Sequence, residues 1–182
     1  MVNSKSAYSV AGKKQRNDTH IIVVWVDNEA GVLARVVGLF SGRGYNIESL
    51  AVAEVDQKQN ISRITIVTTG PPQVIDQIKL QLKKLVPVHK VADFKREDKN
   101  VIFKEMALFK FVANNKKLIS ALNACRNYNP VVLDQTKKSQ VIQITALRRE
   151  IDKMSKNLTK FGLVSVSRTG AVAMTRGSDI FK

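Results

Sequence analysis

Apolar positions along this chain change period twice in the same order. "HIIVVWV" (20–26) is a short, nearly unbroken apolar run rich in β-branched residues, which predicts a buried strand. Val32, Leu33, Val36, Val37, Leu39 and Phe40 then recur at helical spacing, and "GRG" (42–44) predicts the helix stop. Two strand-like runs, "NIESLAVAEV" (46–55) and "ISRITIVTT" (61–69), flank the polar "DQKQN" and predict a hairpin. "GPPQ" (70–73) opens a second helix, with proline in the first turn and Val74, Ile75, Ile78, Leu82 and Leu85 on one stripe. Pro87 is expected to end it, and "VHKVADF" (88–94) closes a βαββαβ unit.

The charged "KREDKN" (95–100) contains no apolar residue and reads as a break. The pattern then restarts. "VIFKEMALFKFV" (101–112) predicts a strand, and Leu118, Ile119, Leu122 and Cys125 a helix face. "NPVVLDQ" (129–135) and "SQVIQITAL" (139–147) predict a hairpin around "TKK". Ile151, Met154, Leu158 and Phe161 stripe a helix stopped by Gly162, and "LVSVSRTGAVAM" (163–174) is a last strand, with Gly170 marking a bend or bulge. The expectation is an α+β chain of two consecutive ferredoxin-like βαββαβ domains: a flexible extension at 1–19, a first domain at 20–95, a linker at 96–100 and a second domain at 101–182. Both faces of the first strand look apolar, which points to self-association.

Composition narrows the function. The formal charge is +15, with 30 basic and 15 acidic residues, and a +9 excess falls within residues 97–182. The 20 lysines outnumber the 10 arginines and are scattered, which fits a solvated basic surface or an acidic protein partner better than a nucleic-acid arm. One cysteine, Cys125, fits a reducing compartment, and His20 and His89 with it make no zinc pattern. No apolar run reaches the roughly 20 residues of a membrane span, and residues 1–19 hold no secretory core. Nucleophile–base signatures and phosphate loops are missing, so no catalytic and no metal-ligating residues are assigned and the chain is read as a non-enzyme.

One constellation suits ligand capture. "DNEAG" (27–31) leads from the first strand into the first helix, where unpaired N–H groups and a partial positive charge attract a carboxylate. Gly31 lets a ligand reach the backbone, and Asn28 can both donate and accept. Asn46, past the end of the helix, could supply a second amide from a neighbouring strand or a second subunit. Ala30, Val32, Leu33 and Ile47 would line a pocket for a branched aliphatic side chain, or serve equally well as core. The plainer alternative makes Asp27 or Asn28 a helix N-cap and Asn46 the residue after a glycine cap.

The stretch "VDNEAGVLARVVGLFSGRGYNIESLAV", with "SRITIV", "LKKLVPVHKV" and the closing "SRTGAVAMTRG", resembles the regulatory small subunit of acetohydroxyacid synthase, also called acetolactate synthase. The resemblance implies that the first domain is an ACT domain and that the chain forms a homodimer. It implies a catalytic large subunit as partner, with thiamine diphosphate, magnesium and FAD on that partner and none on this chain. Feedback inhibition by valine in branched-chain amino acid biosynthesis is implied as well. The effector would sit between two ACT domains, against Asn28, Gly31 and Asn46. The expected location is plastid stroma or bacterial cytoplasm, away from membranes. A competing reading is a basic ferredoxin-like module that binds nucleic acid, faintly suggested by "FKFV" (109–112).

Overall fold

The computed structural model describes residues 17–96 and 98–178. Of the extension expected at 1–19, residues 1–16 lie outside the described residues, while Asp18 and Thr19 belong to the first strand. The order is β1 (Asp18–Asp27), α1 (Val32–Ser41), β2 (Ser49–Asp56), β3 (Ile61–Gly70), α2 (Pro72–Leu82) and β4 (Val88–Lys95). It continues with β5 (Val101–Val112), α3 (Asn115–Ala124), β6 (Val131–Gln135), β7 (Ser139–Ala146), α4 (Arg148–Leu158) and β8 (Leu163–Thr175). Two four-stranded antiparallel sheets result, ordered β2-β3-β1-β4 and β6-β7-β5-β8. These are two ferredoxin-like units, as the doubled pattern predicts.

Each sheet buries one face under its two helices. In the first unit Ile22, Val24 and Val26 of β1 join Ile64 and Ile66 of β3, and Val36, Leu39, Phe40, Ile75, Ile78 and Leu82 close over them. In the second, Ala107, Phe109 and Phe111 of β5 meet Ile142 and Ile144 of β7 beneath Leu118, Ala121, Ile151, Met154 and Leu158. The helical stripes are narrower than the sequence suggests. Leu33 and Ile119 are exposed, and Ala121 takes a place in the core. Burial raises the Cys125 thiol to about 11, because the thiolate would lose its hydration. Cys125 is therefore expected to resist alkylation near pH 8 until the chain is unfolded, which a thiol-reactive chromophore with and without denaturant will show.

Local chemistry sets the boundaries. Pro72 occupies the first turn of α2, which ends at Leu82, five residues short of Pro87. Asn114 caps α3 by accepting the Lys117 N–H at 3.0 Å. The Glu150 carboxylate reaches back to the Leu147 N–H at 3.0 Å at the start of α4, the reciprocal half of a capping box. Asp56 Oδ1 accepts the N–H groups of Lys58 and Gln59, and Asn60 turns the hairpin with φ 54°.

The second apolar face of β1 is covered from within the chain. Ile21 and Val23, with Val67 of β3, pack against Val101 of β5 and Ala171 and Ala173 of β8, with Trp25, Phe94 and Phe103 around them. The long strands β5 and β8 thus split their work: one half builds the second domain and the other roofs the first. This corrects the sequence-based argument for self-association, since the two-sided burial of β1 needs no second copy. Polar bonds cross the same seam. Arg63 Nη2 donates to the Ala173 carbonyl at 3.0 Å, and the Ala171 N–H donates to Ser49 Oγ at 3.3 Å.

Candidate functional site

The turn between β1 and α1 departs from an ordinary helix start. Gly31, with φ 85° and ψ −9°, occupies the N-cap, and no side chain caps the helix. The Arg35 N–H returns to the Gly31 carbonyl at 3.0 Å and the Val32 N–H to the Glu29 carbonyl at 3.4 Å. The Leu33 and Ala34 N–H groups have no backbone acceptor among the described residues. A Cβ built on Gly31 would meet nothing within 4 Å. Its positive φ and the open space before it leave the helix mouth accessible to an outside group.

Asn28 is no cap, which sets aside the plainer alternative for this residue. Its N–H donates to the Asn60 carbonyl at 2.8 Å, and its Oδ1 accepts from Ser62 Oγ at 2.9 Å. The hairpin between β2 and β3 therefore fixes the Asn28 side chain, and Nδ2 keeps its donors free among the described residues. Asn28, Ala30 and Gly31 are exposed, and Leu33 is 40% exposed. Val32 points inward and is 3% exposed, so its place is the core of the first domain.

At the far end of α1 the plainer reading holds for the glycine. The Gly44 N–H donates to the Ser41 carbonyl at 3.1 Å and the Tyr45 N–H to the Phe40 carbonyl at 2.9 Å. Gly44 is left-handed with φ 68°, and Tyr45 meets Phe40 edge-on at 6.4 Å. That is a Schellman stop with its apolar contact. Asn46 and Ile47 follow as a turn, because β2 begins only at Ser49. The Asn46 carbonyl accepts from Thr68 Oγ1 at 2.7 Å, its side chain is exposed, and Ile47 packs on the core.

Within one chain Asn28 and Asn46 stand apart. Asp27 pairs with Ile61 at one end of the sheet, while Asn46 is tied to Thr68, whose partner on β1 is His20 at the other. The ten-residue α1 between them spans about 15 Å. A ligand touching both turns must draw them from two copies.

The histidines are engaged elsewhere. His20 Nδ1 lies 2.7 Å from Asp93 Oδ1, which shares Lys79 with Asp76, and His89 Nε2 lies 2.6 Å from Asp27 Oδ1. Hydrogen bonding to Asp76 holds the Lys79 ammonium above its ordinary range. Among the described residues no three His, Cys, Asp or Glu side chains come together as a metal site. No described helix is long and apolar enough to cross a membrane. Phe109 and Phe111 of "FKFV" are fully buried under α3 and α4, so the sheet offers neither as a base-stacking platform.

Two ferredoxin-like units in tandem, the first with an open glycine turn at the start of its first helix, define an ACT-domain type of protein. Comparison with known proteins gives the family. The family described as the AHAS small subunit-like ACT domain matches residues 22–90, and the family described as the small subunit of acetolactate synthase matches residues 104–177. The acetolactate synthase small subunit of Aquifex aeolicus is 38% identical over 162 residues, covering 88% of this chain and 83% of that protein. That of Mycobacterium bovis is 35% identical over 159 residues, covering 87% and 93%. The crystal structure of the Thermotoga maritima small subunit superposes with a TM-score of 0.78 at 31% identity, covering 88% of this chain and 99% of that one. The chain belongs to the acetolactate synthase small-subunit family.

Proposed function

We propose that this chain is the regulatory subunit of an acetolactate synthase: it docks on a catalytic large subunit, raises its activity, and makes it sensitive to valine. The observation that carries the effector site is the uncapped, left-handed Gly31 turn beside an Asn28 already clamped by Ser62. The carboxylate of a free amino acid would accept from the Leu33 and Ala34 N–H groups, and Asn28 Nδ2 would hold one of its polar ends. Asn46 and Ile47 would come from a second copy. β2 is an edge strand of its sheet, met by β8 at Ser49 and Leu50 but exposing Val52 and Val55 by 45% and 49%, so two copies paired along α1 and β2 in opposite directions would bring one chain's Asn28 turn to the other's Asn46 turn. Ala30 and Leu33, exposed in one chain, would then meet the effector's isopropyl group, with Val32 supporting them from the core. Thiamine diphosphate, magnesium and FAD would remain with the catalytic subunit.

Regulation follows from differential affinity. If valine binds one arrangement of the paired turns better, it draws the assembly toward that arrangement, with couplings typically about 1–3 kcal/mol. Gly31→Asp places a carboxylate where the ligand's carboxylate sits, in open space, at a backbone cost of about 1 kcal/mol for the positive φ. The expected result is loss of valine inhibition with folding and activation of the catalytic subunit retained. Asn28→Ala should weaken calorimetric valine binding roughly tenfold, the loss of about one hydrogen bond to a charged group. Undiminished inhibition in Gly31→Asp would remove this site from consideration.

A further inference from the structure

A cavity of about 470 Å³ lies between the two domains. We propose that it binds a small organic anion with an apolar body, at a site separate from the α1 turn. Five cationic residues line it: Arg96 just after β4, Lys104 of β5, Arg148 and Arg149 at the start of α4, and Arg176 after β8. Among the described residues no ion pair engages Arg96, Lys104, Arg149 or Arg176.

The acids of the cavity do not balance them. Both Glu105 oxygens are held by Arg168, at 2.6 and 2.8 Å. Asp98 Oδ1 accepts the Asn100 N–H at 2.9 Å, and Glu48 stands 3.7 Å from Arg148. Arg148 is the informative residue. Its Nη2 donates to the Glu48 carbonyl at 3.2 Å, while its Nη1 is buried with no hydrogen-bond partner among the described residues. A buried guanidinium donor without an acceptor is costly, and a turn of this side chain, which is 27% exposed overall, would bring it to a carboxylate or phosphate oxygen in the cavity, with charge as well as geometry. The floor is apolar, from Ile21, Val67, Phe103 and Ala171. Volume, cationic rim and apolar floor together describe a small-molecule pocket that holds an anionic head and an apolar tail.

The test is calorimetric titration of the full chain with benzoate, phenyl phosphate, inorganic phosphate and the neutral benzamide. Saturable binding of benzoate or phenyl phosphate is expected, at least tenfold tighter than inorganic phosphate, with no measurable benzamide binding; the tighter of the two names the head group. Arg148→Gln should weaken it at least tenfold. Because Arg148 also holds Glu48, the double variant Arg149→Gln/Arg176→Gln is measured beside it and should lose affinity to a similar degree, while Arg126→Gln, outside the cavity, should not. Absence of saturable binding by either aromatic anion, equal binding of benzamide, equal binding of inorganic phosphate, or unchanged affinity in the double variant would each overturn the proposal.

Discussion

Replacing Arg168 with leucine is expected to cost about 3–5 kcal/mol of stability, the range for stripping one partner from a buried ion pair. Glu105 is the reason. Its side chain is 4% exposed, and Arg168 grips it with two donors, Nε at 2.6 Å and Nη2 at 2.8 Å. A third bond, from Nη1 to Asp152 at 2.6 Å, fixes the guanidinium plane from the surface of α4. Hydrogen bonding to Glu105 raises Arg168 further above its already strongly basic range, so the arginine's side of the pair stays charged below its ordinary value and is lost only as pH climbs through the raised one. The pair therefore adds no pH dependence from the arginine side under ordinary conditions.

Denaturant melts of Arg168→Leu beside wild type will show the loss. The double variant Glu105→Leu/Arg168→Leu should recover much of the loss, because it removes the buried charge instead of orphaning it. Asp152→Asn should cost no more than about 1 kcal/mol, since that carboxylate is half exposed. A single Arg168→Leu variant as stable as wild type would mean that water reaches Glu105.

No local pattern announces that pair, and this separates what the sequence discloses from what it hides. Glu105 and Arg168 lie 63 residues apart and meet only because β5 and β8 are neighbours. Elements whose cause is local were legible: Pro72 in the first turn of α2, the break at Gly162, and the alternation of β5, predicted at 101–112 and found there. The start of β2 was not, because the Schellman bond from Tyr45 and the Thr68 hydroxyl keep residues 45–48 turning where β propensity alone favours a strand. Half the candidate site was legible in the same sense. Gly31 and Asn28 stand in one short segment. That Ser62 and Asn60 hold Asn28, and that Asn46 sits at the opposite end of α1, depends on pairing across the sheet. The interdomain cavity was invisible, since its walls come from both domains and from segments as distant as Thr19 and Arg176.

Gly170→Val should separate the two domains without unfolding either. Gly170 sits where β8 slips register against β5 between Glu105 and Ala107, with φ 81°, a conformation that costs a β-branched residue about 1–2 kcal/mol. Space is the larger obstacle. A Cβ there would lie 2.9 Å from Ser49 Oγ and 3.0 Å from the Leu50 carbonyl oxygen, and the second of these is backbone of β2. β8 must therefore retreat from the first domain, drawing Ala171 and Ala173 off Ile21, Val23 and Val67 and breaking the Ala171–Ser49 bond. The chain's one tryptophan reports the event, because Trp25 packs into that interdomain cluster. The expected result is a red-shifted Trp25 emission with greater acrylamide quenching, a loss of about 3 kcal/mol or more, and far-ultraviolet dichroism close to wild type. Gly177→Val supplies the control. Gly177 is also left-handed, with φ 68°, but a Cβ there meets nothing within 4 Å, so only the backbone cost should appear and Trp25 should keep its emission. Because Gly170 abuts Ser49 and Leu50, just beyond the Asn46 turn, opening the seam should also loosen the turn that the effector is proposed to touch. An unshifted Trp25 spectrum in Gly170→Val would show that the seam tolerates the added side chain and that the two domains are held together by contacts other than this close approach.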